Sequence, residues 1–213
     1  MPLFYKDESI EIRRTVTGPY SNNTYIVICP KTRESVIIDT PAEPQVILKE
    51  AQGTKVKAIL MTHCHMDHVL GHETIKQGTR APVAVHPVGV SKLPLPPEVQ
   101  LTHGQTFDFG NITFQVLHTP GHTPEGLCFL WREHLFSGDT LFPHGPGKTM
   151  SPDNFRQLVQ SIEEHLMALP DATRVYPGHG DDTVLAKEKQ EFHSFKSRPH
   201  RPDLCGDVLW LKS

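Results

Sequence analysis

The heptapeptide Thr62-His63-Cys64-His65-Met66-Asp67-His68 decides how this chain is read. It closes an apolar, β-branched run, Val56–Thr62, that reads as a short buried strand. It opens a segment, Asp67 to Gln77 before Gly78, whose pattern is helical. His63 and His65 stand two apart as the chain leaves a strand. Alternate side chains there share a side, so both imidazoles can converge on one ion. Asp67 and His68 follow as the backbone turns and point elsewhere, which suits them to a second ion. By the same alternation Cys64 points away and is expected to pack.

Three further segments place ligand-type side chains at strand ends. His122 lies in HTPGHT (118–123), where Pro120 and Gly121 force a tight turn, and Asp139 lies in SGDT (137–140). His179 lies in PGHG (177–180), between glycines that let backbone approach closely. Loops at strand termini are where open α/β sheets put their sites. Histidine is the compositional outlier, at 14 residues, and imidazole is both a common metal ligand and a proton carrier near neutral pH. His72, His86, His103, His118, His134, His144, His165, His193 and His200 carry no such pattern and read first as ordinary packed or surface side chains.

Around these motifs strands and helices alternate. Strands are expected at Glu11–Val16, Thr24–Cys29, Ser35–Asp39, Pro82–His86, Ile112–His118, Leu127–Trp131, His134–Ser137 and Arg174–Tyr176. Helices are expected at Pro44–Gln52, closed by Gly53, at Pro152–Leu169 with Ser151 as N-cap, and at Thr183–Phe195. Leu93–Pro97 should be an irregular loop. The interleaving favours an α/β fold with helices covering the sheets.

At 213 residues the chain suits a single domain. A formal net charge of -3 provides no large positive field, so nucleic acid is not an expected partner. The charged N-terminal stretch lacks the apolar run of a signal peptide, and no segment approaches a membrane span. A soluble, cytoplasmic protein acting without a membrane, as monomer or homodimer, is expected. Cys29, Cys64, Cys128 and Cys205 form no CxxC pair and suit reduced thiols.

THCHMDH, HTPGHT, GDTLF and PGHG, in that order, resemble the metallo-β-lactamase superfamily and, within it, the glyoxalase II group of hydroxyacylglutathione hydrolases. The resemblance covers roughly Asn23 to Thr183. It implies an αββα sandwich, two mixed sheets face to face with helices on the outer faces. It also implies two Zn²⁺ ions, or Fe²⁺ or a Zn/Fe/Mn mixture in their place. His63, His65 and His122 would hold the first, Asp67, His68 and His179 the second, with Asp139 bridging. The implied reaction is hydrolysis of a small acyl substrate, a thioester such as a hydroxyacyl-glutathione, by a metal-bridging hydroxide that Asp67 and Asp139 orient.

Lys148, in GPGKT, falls where that group carries a basic residue that meets glutathione, and His144 in PHGPG is a candidate substrate contact. The tyrosine-bearing segment expected next is here Thr149, Met150, Ser151, and 34 residues follow His179. These features imply the short type, lacking the C-terminal glutathione-binding helical domain. Glu125 stands where the group has glycine and is expected to alter the pocket wall near His122. An alternative reading is a mononuclear iron persulfide dioxygenase using His63, His122 and Asp139. A second alternative is a lactonase or weak β-lactamase; Asp139, where most β-lactamases of this fold carry cysteine or serine, argues against a dedicated antibiotic-degrading enzyme. A binding module that has lost turnover would lack ligands, and none is lacking.

Overall fold

The computed structural model describes residues 3–213. In its first half, β1 (Leu3–Lys6), β2 (Glu11–Thr17), β3 (Asn22–Ile28) and β4 (Glu34–Ile38) pair antiparallel in sequence order. The chain then switches to parallel pairing with β5 (Lys55–Leu60), β6 (Val83–Val85) and β7 (Val99–Gln100). Parallel neighbours need long crossovers. Helix α1 (Pro44–Glu50) supplies that after β4, and α2 (Met66–Val69) with α3 (His72–Thr79) supplies it after β5.

The second half repeats the plan. Strands β8 (Thr106–Phe109), β9 (Ile112–His118), β10 (Leu127–Trp131) and β11 (His134–Gly138) form an antiparallel meander. A small hairpin, β12 (Leu141–Phe142) with β13 (Gly145–Pro146), and helix α4 (Pro152–His165) lead to β14 (Arg174–Pro177), parallel to β11. Strand β15 (Thr183–Val184) forms the far edge, and α5 (Leu185–Lys196) follows.

Apolar alternation sets the layers. Ile12, Tyr25 and Val27 of the first sheet meet Phe114, Phe129, Phe136 and Tyr176 of the second in the central core. On the outer faces, α1 and α3 pack Ile47 and Ile75 against Ile26, Ile37 and Ile59. Opposite them, α4 and α5 pack Leu158, Ile162 and Phe192 against Cys128, Leu130 and Leu135. Each such fully buried side chain contributes about 1.5–3 kcal/mol relative to exposure. The expected αββα sandwich is therefore the fold.

Among the boundaries that differ from the sequence reading are those of three helices. The helix expected over 67–77 is broken at Leu70–Gly71. There the Gly71 N–H donates to the Thr40 carbonyl at 2.8 Å, and a Cβ would stand 2.4 Å from the Pro41 oxygen, so the chain passes too close for a continuous helix. Helix α4 ends at His165 rather than Leu169, while its N-cap is as expected, with Ser151 Oγ accepting from the Asn154 N–H at 3.2 Å. The last helix begins at Leu185 because Thr183 and Val184 are taken up in β15. Strands β1, β7, β12 and β13 are too short or irregular to leave a periodic signal.

Candidate metal centre

Five strand exits meet at one end of the sandwich. Asp39 follows β4, His63 and His65 follow β5, His122 follows β9, Asp139 follows β11 and His179 follows β14. The sheets are stitched there: the Asn23 N–H donates to the Gly178 carbonyl at 2.7 Å, and the Leu127 N–H to the Thr62 carbonyl at 2.8 Å. Tyr25 Oη and Asn23 Nδ2 both donate to the Pro177 carbonyl. The motif loops are thus braced by main-chain bonds between the sheets.

All seven expected ligands come together. His63, His65 and His122 form one group and Asp67, His68 and His179 another, the ligand atoms in each lying within 4.8 Å of one another. In the first, His65 Nδ1 stands 3.0 Å from His122 Nε2, while His63 Nε2 is buried without a partner. In the second, His68 Nε2 and His179 Nε2 are 3.1 Å apart, and Asp67 Oδ2 is 3.2 Å from His179 Nε2. Asp139 stands between the groups. Its Oδ2 is 3.6 Å from His122 Nε2 and 3.5 Å from His179 Nε2, and its Oδ1 is 3.6 Å from His68 Nε2. Imidazole nitrogens drawn to within 3.0–3.1 Å of each other around an ionised carboxylate suit cations. Nitrogen and carboxylate donors without a thiolate suit zinc, iron or manganese.

The remote ring nitrogens of four histidines are anchored, which fixes each ring's orientation. His122 Nδ1 donates to the Lys148 carbonyl at 2.7 Å and His179 Nδ1 to the Tyr20 carbonyl at 2.9 Å. His68 Nδ1 donates to Asp39 Oδ2 at 2.9 Å, and His63 Nδ1 donates to Thr62 Oγ1 at 3.0 Å. Thr62 Oγ1 in turn donates to Asp39 Oδ2 at 2.7 Å. Asp39 holds a left-handed backbone, φ 63°, a conformation more accessible to Asp than to most residues. Such strain clusters at functional sites.

The charges favour ionised carboxylates. Burial alone would raise the Asp139 carboxyl, but His68, a hydrogen bond with His179, and His63 outweigh it and hold it far below the usual range. Asp67 is likewise held low against burial by His179 and Asn22, whose Nδ2 donates to Asp67 Oδ2 at 2.8 Å. Burial, reinforced by His68, keeps the His63 ring neutral, which leaves its Nε2 lone pair free to ligate. His179 moves the other way despite burial, raised to about 10 by Asp139 and Asp67. A cation taking that place displaces the proton.

The outer residues divide. Lys148 reaches the site through its carbonyl, whereas its ammonium lies 3.3 Å from Asp207 Oδ2. His144 joins neither group: Glu191 on α5 holds its Nδ1 at 2.8 Å. Glu125 is buried; its Oε1 accepts from the Cys64 N–H at 3.3 Å and its Oε2 pairs with Lys92 at 2.6 Å, so it braces the loop between His63 and His65. Cys64 packs as expected, its thiol pushed up to about 12 by burial and by the charge of Glu125. Sequence reasoning missed Asp39, Asn22 and Thr62. Asp39 had one signal available, an acid ending an apolar strand in SVIIDT.

The sequence pattern of the metallo-β-lactamase superfamily matches residues 17–179, which span all seven expected ligands. The chain belongs to the metallo-β-lactamase superfamily. Among its superfamily relatives, the hydroxyacylglutathione hydrolase of Nitrosococcus oceani is 36% identical over 166 residues, covering 75% of this chain. The chain spans 62% of the length of that hydrolase. The crystal structure of ETHE1 from Myxococcus xanthus is similar at TM-score 0.78 and 31% identity, over 88% of this chain and 85% of the other. That of TTHA1623 in a di-iron-bound form is similar at TM-score 0.72 and 33% identity, over 83% and 96%. Among the described residues of this superfamily member, no helix is long and apolar enough to cross a membrane.

Proposed function

We propose that this protein is a dinuclear metal-dependent hydrolase of thioesters. The observation that carries the reading is the position of Asp139, one carboxylate within 4.0 Å of histidines from both groups. In this reading His63, His65 and His122 would hold one ion and Asp67, His68 and His179 the other, with Asp139 placed between them and zinc as the metal. Two divalent ions bound there would supply Lewis-acid polarisation of a carbonyl and would acidify water toward a pKa of about 7.

The protein's own groups do the rest. Asp67 and Asp139, ionised, accept hydrogen bonds from a water entering between the groups and so orient its lone pair toward the acyl carbon. The carbon–oxygen bond forms as the carbon–sulfur bond breaks with its electron pair on sulfur. The products are a carboxylate, a thiol and one proton released to solvent. A thiolate leaves without a proton, whereas an amide nitrogen needs an acid, and the groups around the site are carboxylates and ring nitrogens committed to ligation. The name of the Nitrosococcus relative makes hydroxyacyl-glutathiones the first thioesters to try.

The test is metal content of protein purified without added metal, together with thiol release from lactoyl-glutathione. Two ions per chain and release abolished by chelator, then restored by zinc, are expected. Asp139→Ala should retain less than one ion and lose at least about a thousandfold in kcat. One iron per chain with oxygen uptake on glutathione persulfide would replace this reading with the mononuclear dioxygenase. Ring opening of a lactone without thioester turnover would replace it with a lactonase.

A further inference from the structure

Among the described residues, the most exposed large apolar side chains are Met150 at 82%, Met66 at 71% and Tyr20 at 66%. They belong to three separate segments, yet each adjoins the metal centre. Met66 sits between His65 and Asp67. The Tyr20 carbonyl holds His179. Met150 is two residues beyond Lys148, whose carbonyl holds His122. From a fourth segment, the Phe142 ring stacks near His179, centroids 6.3 Å apart and planes 27° from parallel. Scattered exposed apolar residues need no explanation, but several of them carried on the very segments that hold one polar centre point to a binding surface there. Methionine suits such a rim because its unbranched thioether adapts to varied apolar partners.

Lys148, the cation two residues from Met150, is not free to hold an anionic substrate. The Lys148 ammonium is matched by Asp207, which the bridge between Thr149 and Gly206 brings beside it. We infer that the mouth of this site takes thioesters whose part beyond the reacting group is apolar and uncharged, rather than the multiply charged glutathione conjugates. The inference rests on the thioesterase reading and narrows it.

The test compares hexanoyl and acetyl thioesters of N-acetylcysteamine, and acetyl-glutathione, on the metal-loaded protein. In parallel, calorimetry measures binding of the S-hexyl and S-methyl thioethers of N-acetylcysteamine, which have no reacting carbonyl. At least tenfold preference for hexanoyl over acetyl in kcat/KM is expected, with S-hexyl binding at least tenfold tighter than S-methyl and no preference for acetyl-glutathione. Met150→Ser should reduce both hexyl preferences at least threefold, Met150→Leu should keep them, and Met66→Ser with its metal content checked should act like Met150→Ser. Equal affinity for the two thioethers would overturn the proposal. So would sedimentation showing that Met150→Ser splits a dimer while thioether binding is unchanged, since a second copy would then cover the rim. If no thioester is hydrolysed but S-hexyl still binds more tightly, the thioesterase reading fails and the apolar mouth stands.

Discussion

Asp39 Oδ2 accepts hydrogen bonds from His68 Nδ1 at 2.9 Å and from Thr62 Oγ1 at 2.7 Å, so one buried carboxylate orients ligands of both metal groups. Its hold on the first group runs through Thr62 to His63. Outer partners of this kind are worth roughly 10–100-fold in metal affinity. Asp39→Ala should therefore weaken both ions by that order, whereas Thr62→Val should weaken chiefly the ion at His63. Chelator competition on each variant reads this directly, and unchanged affinity for both ions in Asp39→Ala would refute the orienting role.

Gly178 leaves no room for a side chain. A Cβ there would stand 2.3 Å from Asp139 Oδ1 and 2.8 Å from His68 Cε1. Gly178→Ala should push apart the shared carboxylate and a ligand of the second group, lowering bound metal to one ion or fewer and kcat by at least about a hundredfold. Full metal content at wild-type rate would mean that the loop yields without moving Asp139.

Lys148 and Asp207 should act in opposite directions. Both are largely exposed, so the ion pair between them is weak. Removing the lysine charge should raise KM for acetyl-glutathione by roughly two- to fivefold, and Asp207→Asn should lower it by a similar factor, each with a smaller effect on kcat. The contact of His122 with Lys148 survives in both because it is made by the main chain. Identical KM values in all three proteins would place Lys148 outside substrate recognition.

His72 couples stability to pH. It is fully buried on α3 with neither ring nitrogen hydrogen-bonded, and burial together with nearby Lys76 holds its pKa below 6.5. A histidine depressed in the folded state leaves the unfolded chain binding the proton first, so stability is full above pH of about 6.5 and falls as pH drops toward the folded value. His72→Leu should lose less melting temperature than wild type between about pH 7.5 and 5.5. Equal losses would show that another group dominates acid sensitivity.

The sequence alone marked out the seven candidate ligands and determined the architecture. Imidazoles and carboxylates at fixed short spacings, each beside a strand whose apolar alternation is local, are legible without coordinates, as are the interleaved elements and the Ser151 cap. What it could not determine is which side chains hold those ligands from behind. Asp39 meets His68 across 29 positions, Asn22 meets Asp67 across 45 and Glu125 meets Cys64 across 61, and no local periodicity encodes a contact at such a distance. The same holds for the Asp207 that neutralises Lys148 and for the apolar rim, whose members come from four segments. Face-to-face packing of the two sheets brings these groups to one end of the sandwich, and that juxtaposition exists only once the chain has folded.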